Sequence, residues 1–155
     1  MRTILPGPGD SVRCCARRTI SICIPISVTA QQRPNPLADY LGSLRRVAEV
    51  EAAEVLPGHE YRFEGLRNRV DELTSHNTAR LAEIETLLAD GVERTCWQIA
   101  ARLSWSRPFD ALSGFNQRSA AAETHAHLVW LAQTHRIRCL GGAPERWSAG
   151  SAASG

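Results

Sequence analysis

The chain has 155 residues, room for one ordinary domain or two small ones. Its 43% hydrophobic and 22% charged residues exclude a compositionally disordered chain, and a net charge of +2 gives no global argument for nucleic acid. All 18 basic residues are arginine. In a chain this rich in Ala and Gly, the missing lysine reads as coding bias rather than as guanidinium chemistry.

Cysteine usage narrows the compartment. Cys14, Cys15, Cys23, Cys96 and Cys139 make an odd count without a Cys-x-x-Cys pair. That is neither a disulfide framework nor a zinc motif, so a reducing, cytoplasmic setting is expected. The start, MRTILPGPGDSVRCCARR, has scattered charges and Pro-Gly-Pro-Gly, unlike a signal peptide. TISICIPISV is about half the length of a membrane span, so no membrane partner is expected.

In chain order, residues 1–34 are irregular. Their β-branched run Ile20–Val28 reads as a strand that Pro25 demotes to an edge or a break. Asn35 as N-cap and Pro36 as first helical residue open a helix to about Val50, with Leu37, Leu41, Leu44 and Val47 on one face. Ala53–Leu56 fits a short strand ended by Pro57-Gly58. A long helix over 64–89 carries the stripe Leu66, Val70, Leu73, Leu81, Ile84 and Leu88, with Gly91 at its stop. Thr95 caps a short helix whose buried side is Trp97, Ile99, Ala100 and Leu103. SWSRPFDALSGFNQ is a loop, and 118–135 is a helix with Ala121, Thr124, Leu128, Leu131 and His135 on one face. Ile137–Leu140, Gly-Gly-Ala-Pro and Glu145–Trp147 read as a hairpin, and SAGSAASG as a small-residue tail. From about 75 to 148 the order is helix, helix, helix, hairpin, as in a winged-helix module. The expected division is 1–34, 35–75, 76–148 and 149–155.

Single residues have a plain reading and a functional one. His59 is by itself a strand-end histidine. His76 reads as a solvated or interdomain helix position with Arg80 one turn on, and the alternative makes both substrate or phosphate contacts. His125 and His127 point about 200° apart on a helix and cannot chelate together. His127 reads as packed in the core, and His135 as a last-turn cation favoured by the helix dipole. Cys96 and Cys139 read as small buried hydrophobes. Among Trp97, Trp105, Trp130 and Trp147, mostly core, Trp105 is the one able to face a substrate. Residues 92–147 carry seven arginines (94, 102, 107, 118, 136, 138 and 146) against four acids, Glu93, Asp110, Glu123 and Glu145. A winged helix would set such arginines against nucleic acid, whereas the preferred reading is a solvated surface.

Three stretches together carry a resemblance: RPNPLADYLGSLRRVAEVEAAEVLPGHE (33–60), HNTARLAEIETLLADG (76–91) and AAAETHAHLVWLAQTHRIRCL (120–140). They resemble the C-terminal half of metallo-β-lactamase-fold hydrolases. The match is to the glyoxalase-II-like branch that carries a winged-helix-like extension, the beta-lactamase-like protein 2 type. The resemblance runs over about 34–147. It implies an α+β fold, the truncated C-terminal part of an αββα sandwich followed by a mainly helical winged-helix-like domain. It also implies that His59 is the last zinc ligand of a two-metal site. In intact relatives, two Zn²⁺ ions lower the pKa of a bridging water and polarise the scissile bond.

The same resemblance shows what this chain lacks. The family's His-x-His-x-Asp-His motif lies upstream of the LPGH segment, yet all five histidines here (59, 76, 125, 127 and 135) stand at or after it. Asp10, in Pro-Gly-Asp, is a candidate for the family's bridging carboxylate several residues out of register. No residue is assigned as catalytic. VRCCARRTISICIPISV reads as an out-of-frame rendering of the family's "VLP…ISV" region, so residues 1–25 are expected to be non-native sequence from a truncated or misplaced start. Two functions follow as expectations. One is the C-terminal portion of a zinc-dependent hydrolase of esters, thioesters or phosphodiesters, inactive alone, with a small-molecule or phosphodiester substrate in intact relatives. The other is a small winged-helix module that contacts nucleic acid or a protein. The helix over 36–50, deprived of its sheet, is expected to leave apolar surface for an oligomer or a partner chain.

Overall fold

A computed structural model describes residues 34–56 and 61–150; Asp10, the run Ile20–Val28 and His59 lie outside them. Helix α1, Pro36–Ala48, starts as its sequence dictates: the Asn35 side chain accepts a hydrogen bond from the Ala38 amide at 2.9 Å, and Pro36 follows with no amide hydrogen to lose. Asn35 and Pro34 are also tied to Gln133, distant in sequence. Gln133 accepts from the Asn35 side-chain amide at 2.7 Å and donates to the Pro34 carbonyl at 2.8 Å.

Helix α2, Leu66–Leu88, is 23 residues long. Gly65 precedes it at φ 76° and Gly91 follows it at φ 75°, both in the left-handed region where a side chain is strained. Between Val55 and Phe63 the chain makes a single antiparallel bridge, Val55 N–H to the Phe63 carbonyl at 2.8 Å and the reverse at 3.1 Å. The strand expected over 53–56 is therefore one residue pair, since no longer partner strand is offered to it among the described residues.

Beyond Gly91 come β1 (Arg94–Thr95), α3 (Cys96–Ala100), a 3-10 turn (Phe109–Ala111), α4 (Gly114–Gln133), β2 (Ile137–Gly141) and β3 (Arg146–Ala149). The hairpin β2–β3 is as expected, with Ile137 opposite Ala149 and Cys139 opposite Trp147. β1 was not foreseen; two residues carry no period. It pairs antiparallel with β3, so the sheet runs β1-β3-β2. Thr95 ends β1 and caps α3 in a reciprocal capping box with Gln98.

Four local expectations are corrected. Helix α4 begins at Gly114 rather than 118, because Ser113 accepts a hydrogen bond from the Asn116 amide and so caps a turn read as loop. His135 is outside the helix at φ 58°, in the left-handed position after the C-cap. Its amide bonds the Ala132 carbonyl and the Arg136 amide bonds the Leu131 carbonyl, the paired closure that usually employs glycine. Trp97 is 47% exposed, because the five-residue helix turns Ile99 and Ala100 inward instead. Cys139 is exposed on β2, although alternation places it level with the buried Trp147.

The main core joins Leu81, Ile84 and Leu88 of α2 to Ile99, Leu128, Leu131, Ile137 and Trp147. A second cluster holds Val55, Leu66 and Val70. Helix α1 serves both: Leu37, 1% exposed, belongs to the first and Leu44, 2% exposed, to the second. The two leucines are seven residues apart, two turns along one face. Leu37 and Leu44 of α1 are thus covered by elements of this chain. Among the described residues, no helix is long and apolar enough to cross a membrane.

Candidate functional site

Two places bear on function: the segment that holds His59, and the seam between α2 and α4. The Val55–Phe63 bridge pins the chain on both sides of residues 57–60, and an Arg62–Glu54 ion pair at 3.4 Å crosses it. Val55 is fully buried at that anchor. His59 itself, like Asp10, lies outside the described residues. Among the described residues no three His, Cys, Asp or Glu side chains are grouped to hold a metal ion. Zinc needs three or four such donors, so the described part of the chain does not by itself fit the ion the resemblance implies.

At the seam the structure brings Arg80 and Trp105 together. The Arg80 guanidinium carbon stands 4.4 Å from the Trp105 ring centre, a cation–π stack. Its Nη1 donates to Glu83 Oε2 at 2.7 Å and its Nη2 donates to the Ser104 carbonyl at 2.8 Å. Glu83 Oε1 in turn accepts from the Ser104 amide at 2.6 Å. Arg80 and Glu83, one helical turn apart, thereby satisfy both backbone groups of Ser104 and staple the loop after α3 onto α2. Trp105 donates its indole N–H to the Ala100 carbonyl at 2.8 Å. Arg80 is 7% exposed, with only Nε lacking a partner. Two of its donor atoms are therefore committed inside the protein, while His76, one turn earlier, is exposed.

Next to this staple lies a buried polar pair. His127 of α4 is fully buried, with Nδ1 2.8 Å from the Glu123 carbonyl and Nε2 3.2 Å from Asn77 Oδ1. Asn77 of α2, 4% exposed, donates its side-chain amide to the Leu73 carbonyl at 2.7 Å. Burial pushes the His127 ring down to about 4, the Glu123 carbonyl hydrogen bond opposes that, and Arg80 and His76 add a further lowering. Burial raises the Glu123 carboxyl, while Arg80 and His76 pull it down. His76, Arg80, Glu123 and His127 thus form one electrostatic group between α2 and α4. The sequence placed His127 in the core but named neither Asn77, Glu83 nor Glu123 as its company. The i, i+3 spacing of Arg80 and Glu83 was the one available signal. His125, for its part, faces the hairpin, with its ring edge-on to Trp147 and its Nε2 3.6 Å from Glu145.

The chain is similar to solved structures of the metallo-β-lactamase family. One, a metallo-beta-lactamase family protein from Thermus thermophilus, matches at 34% identity and a TM-score of 0.62 over 76% of this chain. Another, a beta-lactamase domain protein from Burkholderia ambifaria, matches at 29% identity and a TM-score of 0.63, again over 76% of this chain. The chain spans only about a third of those proteins, 34% and 35% of their lengths. No family model matches it, and no curated protein does.

Proposed function

We propose that this chain belongs to the metallo-β-lactamase superfamily and carries the C-terminal portion of a zinc-dependent hydrolase of esters, thioesters or phosphodiesters, in the glyoxalase-II-like branch. The observation that supports this most is the match to the Thermus protein, at 34% identity over 76% of this chain but 34% of that one. A fragment of a larger hydrolase has that asymmetry. In this reading His59, four residues after Val55 in the sequence, is an inherited metal ligand. The unit from α2 to β3 is a winged-helix-like cap; the order α2, β1, α3, α4, β2, β3 with sheet order β1-β3-β2 supports it.

The 155-residue chain alone is inactive in this reading, because no histidine precedes His59 to complete a two-metal site. The nucleic-acid alternative gains little from α4, where Arg118 is the only arginine. The test joins this chain to the part of the Thermus protein that it does not span. The fusion should bind zinc and hydrolyse a chromogenic ester or phosphodiester, and His59→Ala should lower both. Zinc content indifferent to His59→Ala would overturn the ligand assignment. Stoichiometric zinc with turnover in the isolated chain would overturn its inactivity.

A further inference from the structure

The α2–α4 seam contains a hydrogen-bonding conflict that a neutral imidazole cannot resolve. Both atoms that face the His127 ring nitrogens are acceptors: the Glu123 carbonyl at 2.8 Å and Asn77 Oδ1 at 3.2 Å. A neutral ring has one N–H and one lone pair, so it can donate to only one of them. Turning the Asn77 amide over does not help. Its nitrogen is 2.7 Å from the Leu73 carbonyl, and the exchange would set two oxygens at that distance. The shorter contact takes the proton, which puts the N–H on Nδ1 and leaves the Nε2 lone pair opposite Asn77 Oδ1. A ring carrying both protons would satisfy both oxygens with no movement of either helix.

We propose that the α2–α4 seam is a proton-dependent joint, in which the buried His127 ring holds only its own helix when neutral and grips Asn77 of α2 when it takes up a second proton. The groups that act on the ring come from both helices. Arg80 and His76 of α2 oppose the second proton, and the Glu123 carbonyl of α4 favours it. Neither α1 nor α3 supplies a group that shifts the ring. Burial, the strongest influence, also opposes the proton, so the joint closes only in acid, below the ordinary histidine range. Asn77 is then the acceptor that receives the second N–H, and the charge on the ring is shared across the seam.

Heteronuclear NMR of the full chain, with ¹⁵N-labelled histidine, reads both halves of this proposal. At pH 7 the His127 ring should be the neutral Nδ1–H tautomer; an Nε2–H ring there would overturn it. On acidification the ring should titrate within the folded protein. Asn77→Leu removes the second acceptor and should lower the proton affinity of His127 about tenfold, while leaving the folded spectrum at pH 7 intact. Asn77→Asp keeps the shape and adds charge, and should raise that affinity tenfold or more. An unchanged His127 midpoint in the Asp variant would overturn the joint even if the Leu variant failed to fold.

Discussion

The two halves of α2 carry the same apolar stripe in different surroundings. From Leu66 to His76 the helix buries only Leu66 and Val70, against α1 and the Val55 anchor. From Asn77 to Leu88 it buries Asn77 and Arg80 as well as Leu81, Ile84 and Leu88, enclosed by α3, α4 and the hairpin. The difference teaches that a helix half can admit polar side chains to its inner face only where other elements supply partners. Asn77 donates to Leu73 of its own helix and faces His127 of α4, and Arg80 has Glu83 of α2 with Ser104 and Trp105 beyond it. A buried amide or guanidinium without such partners would cost several kcal/mol.

The sharpest way to break this contrast is to empty one core at a time. Leu128→Ala, opposite the C-terminal half, should lower unfolding free energy by about 3–4 kcal/mol, whereas Val70→Ala should lower it by about 1–2 kcal/mol. Urea denaturation measures both. Equal effects would mean that the two halves are equally supported.

Acid should weaken the enclosed half next, because charging the buried His127 ring costs more than its added hydrogen bond to Asn77 returns. His127 in the folded chain is pushed down to about 4, below its ordinary 6.5. A folded pKa below the unfolded one gives stability that is whole above the unfolded value and is lost as pH falls from 6.5 towards 4. The loss approaches roughly 3 kcal/mol. Urea midpoints at pH 7 and pH 4.5 should differ less in His127→Gln than in the parent.

Arg80→Met removes the donors to Glu83 Oε2 and the Ser104 carbonyl, and should cost about 2–3 kcal/mol. Arg80→Lys should recover little of it, since a point charge cannot reach both and stack on Trp105. Thermal denaturation of the pair decides this. A smaller change, of opposite sign, is expected at Glu123. Burial first raises its pKa, so the stability tied to its neutral form is present in acid and lost as pH rises. Glu123→Gln should therefore raise the urea midpoint at pH 7, and an unchanged or lowered midpoint would show that Arg80 and His76 compensate for burial. The smallest effect concerns chemistry alone. The Cys96 thiol donates to the Ala121 carbonyl, and burial, then Glu145, pushes it up to about 12. Alkylation at pH 8, mapped by mass spectrometry, should therefore mark the exposed Cys139 far faster than Cys96.

Much of the architecture was legible because period and capping are local. Asn35-Pro36, Thr95 and the Gly91 stop each act through their own neighbours, and they mark helix ends within a residue or two. What was missed needed distant partners. Ser113 was read as loop because its cap depends on a turn that no apolar period announces. His135 was read as helix because a left-handed non-glycine residue leaves no trace in the residue type. At the candidate site, Arg80 and Trp105 were singled out separately, and their stacking joins positions that the sequence keeps 25 apart.

The sequence by itself determined which stretches are helices and hairpin, and it held the PNPLADYLGSL and LPGH stretches that carry the resemblance to metallo-β-lactamase-fold proteins. Those rest on local spacing and residue identity. Only the tertiary structure decided that α1 finds its cover on α2 and α4, that two strand residues before α3 complete a sheet, and that Asn77 meets His127 across a seam. Each of those depends on which surfaces meet after folding, and burial, which sets the protonation of His127, exists only once they have met.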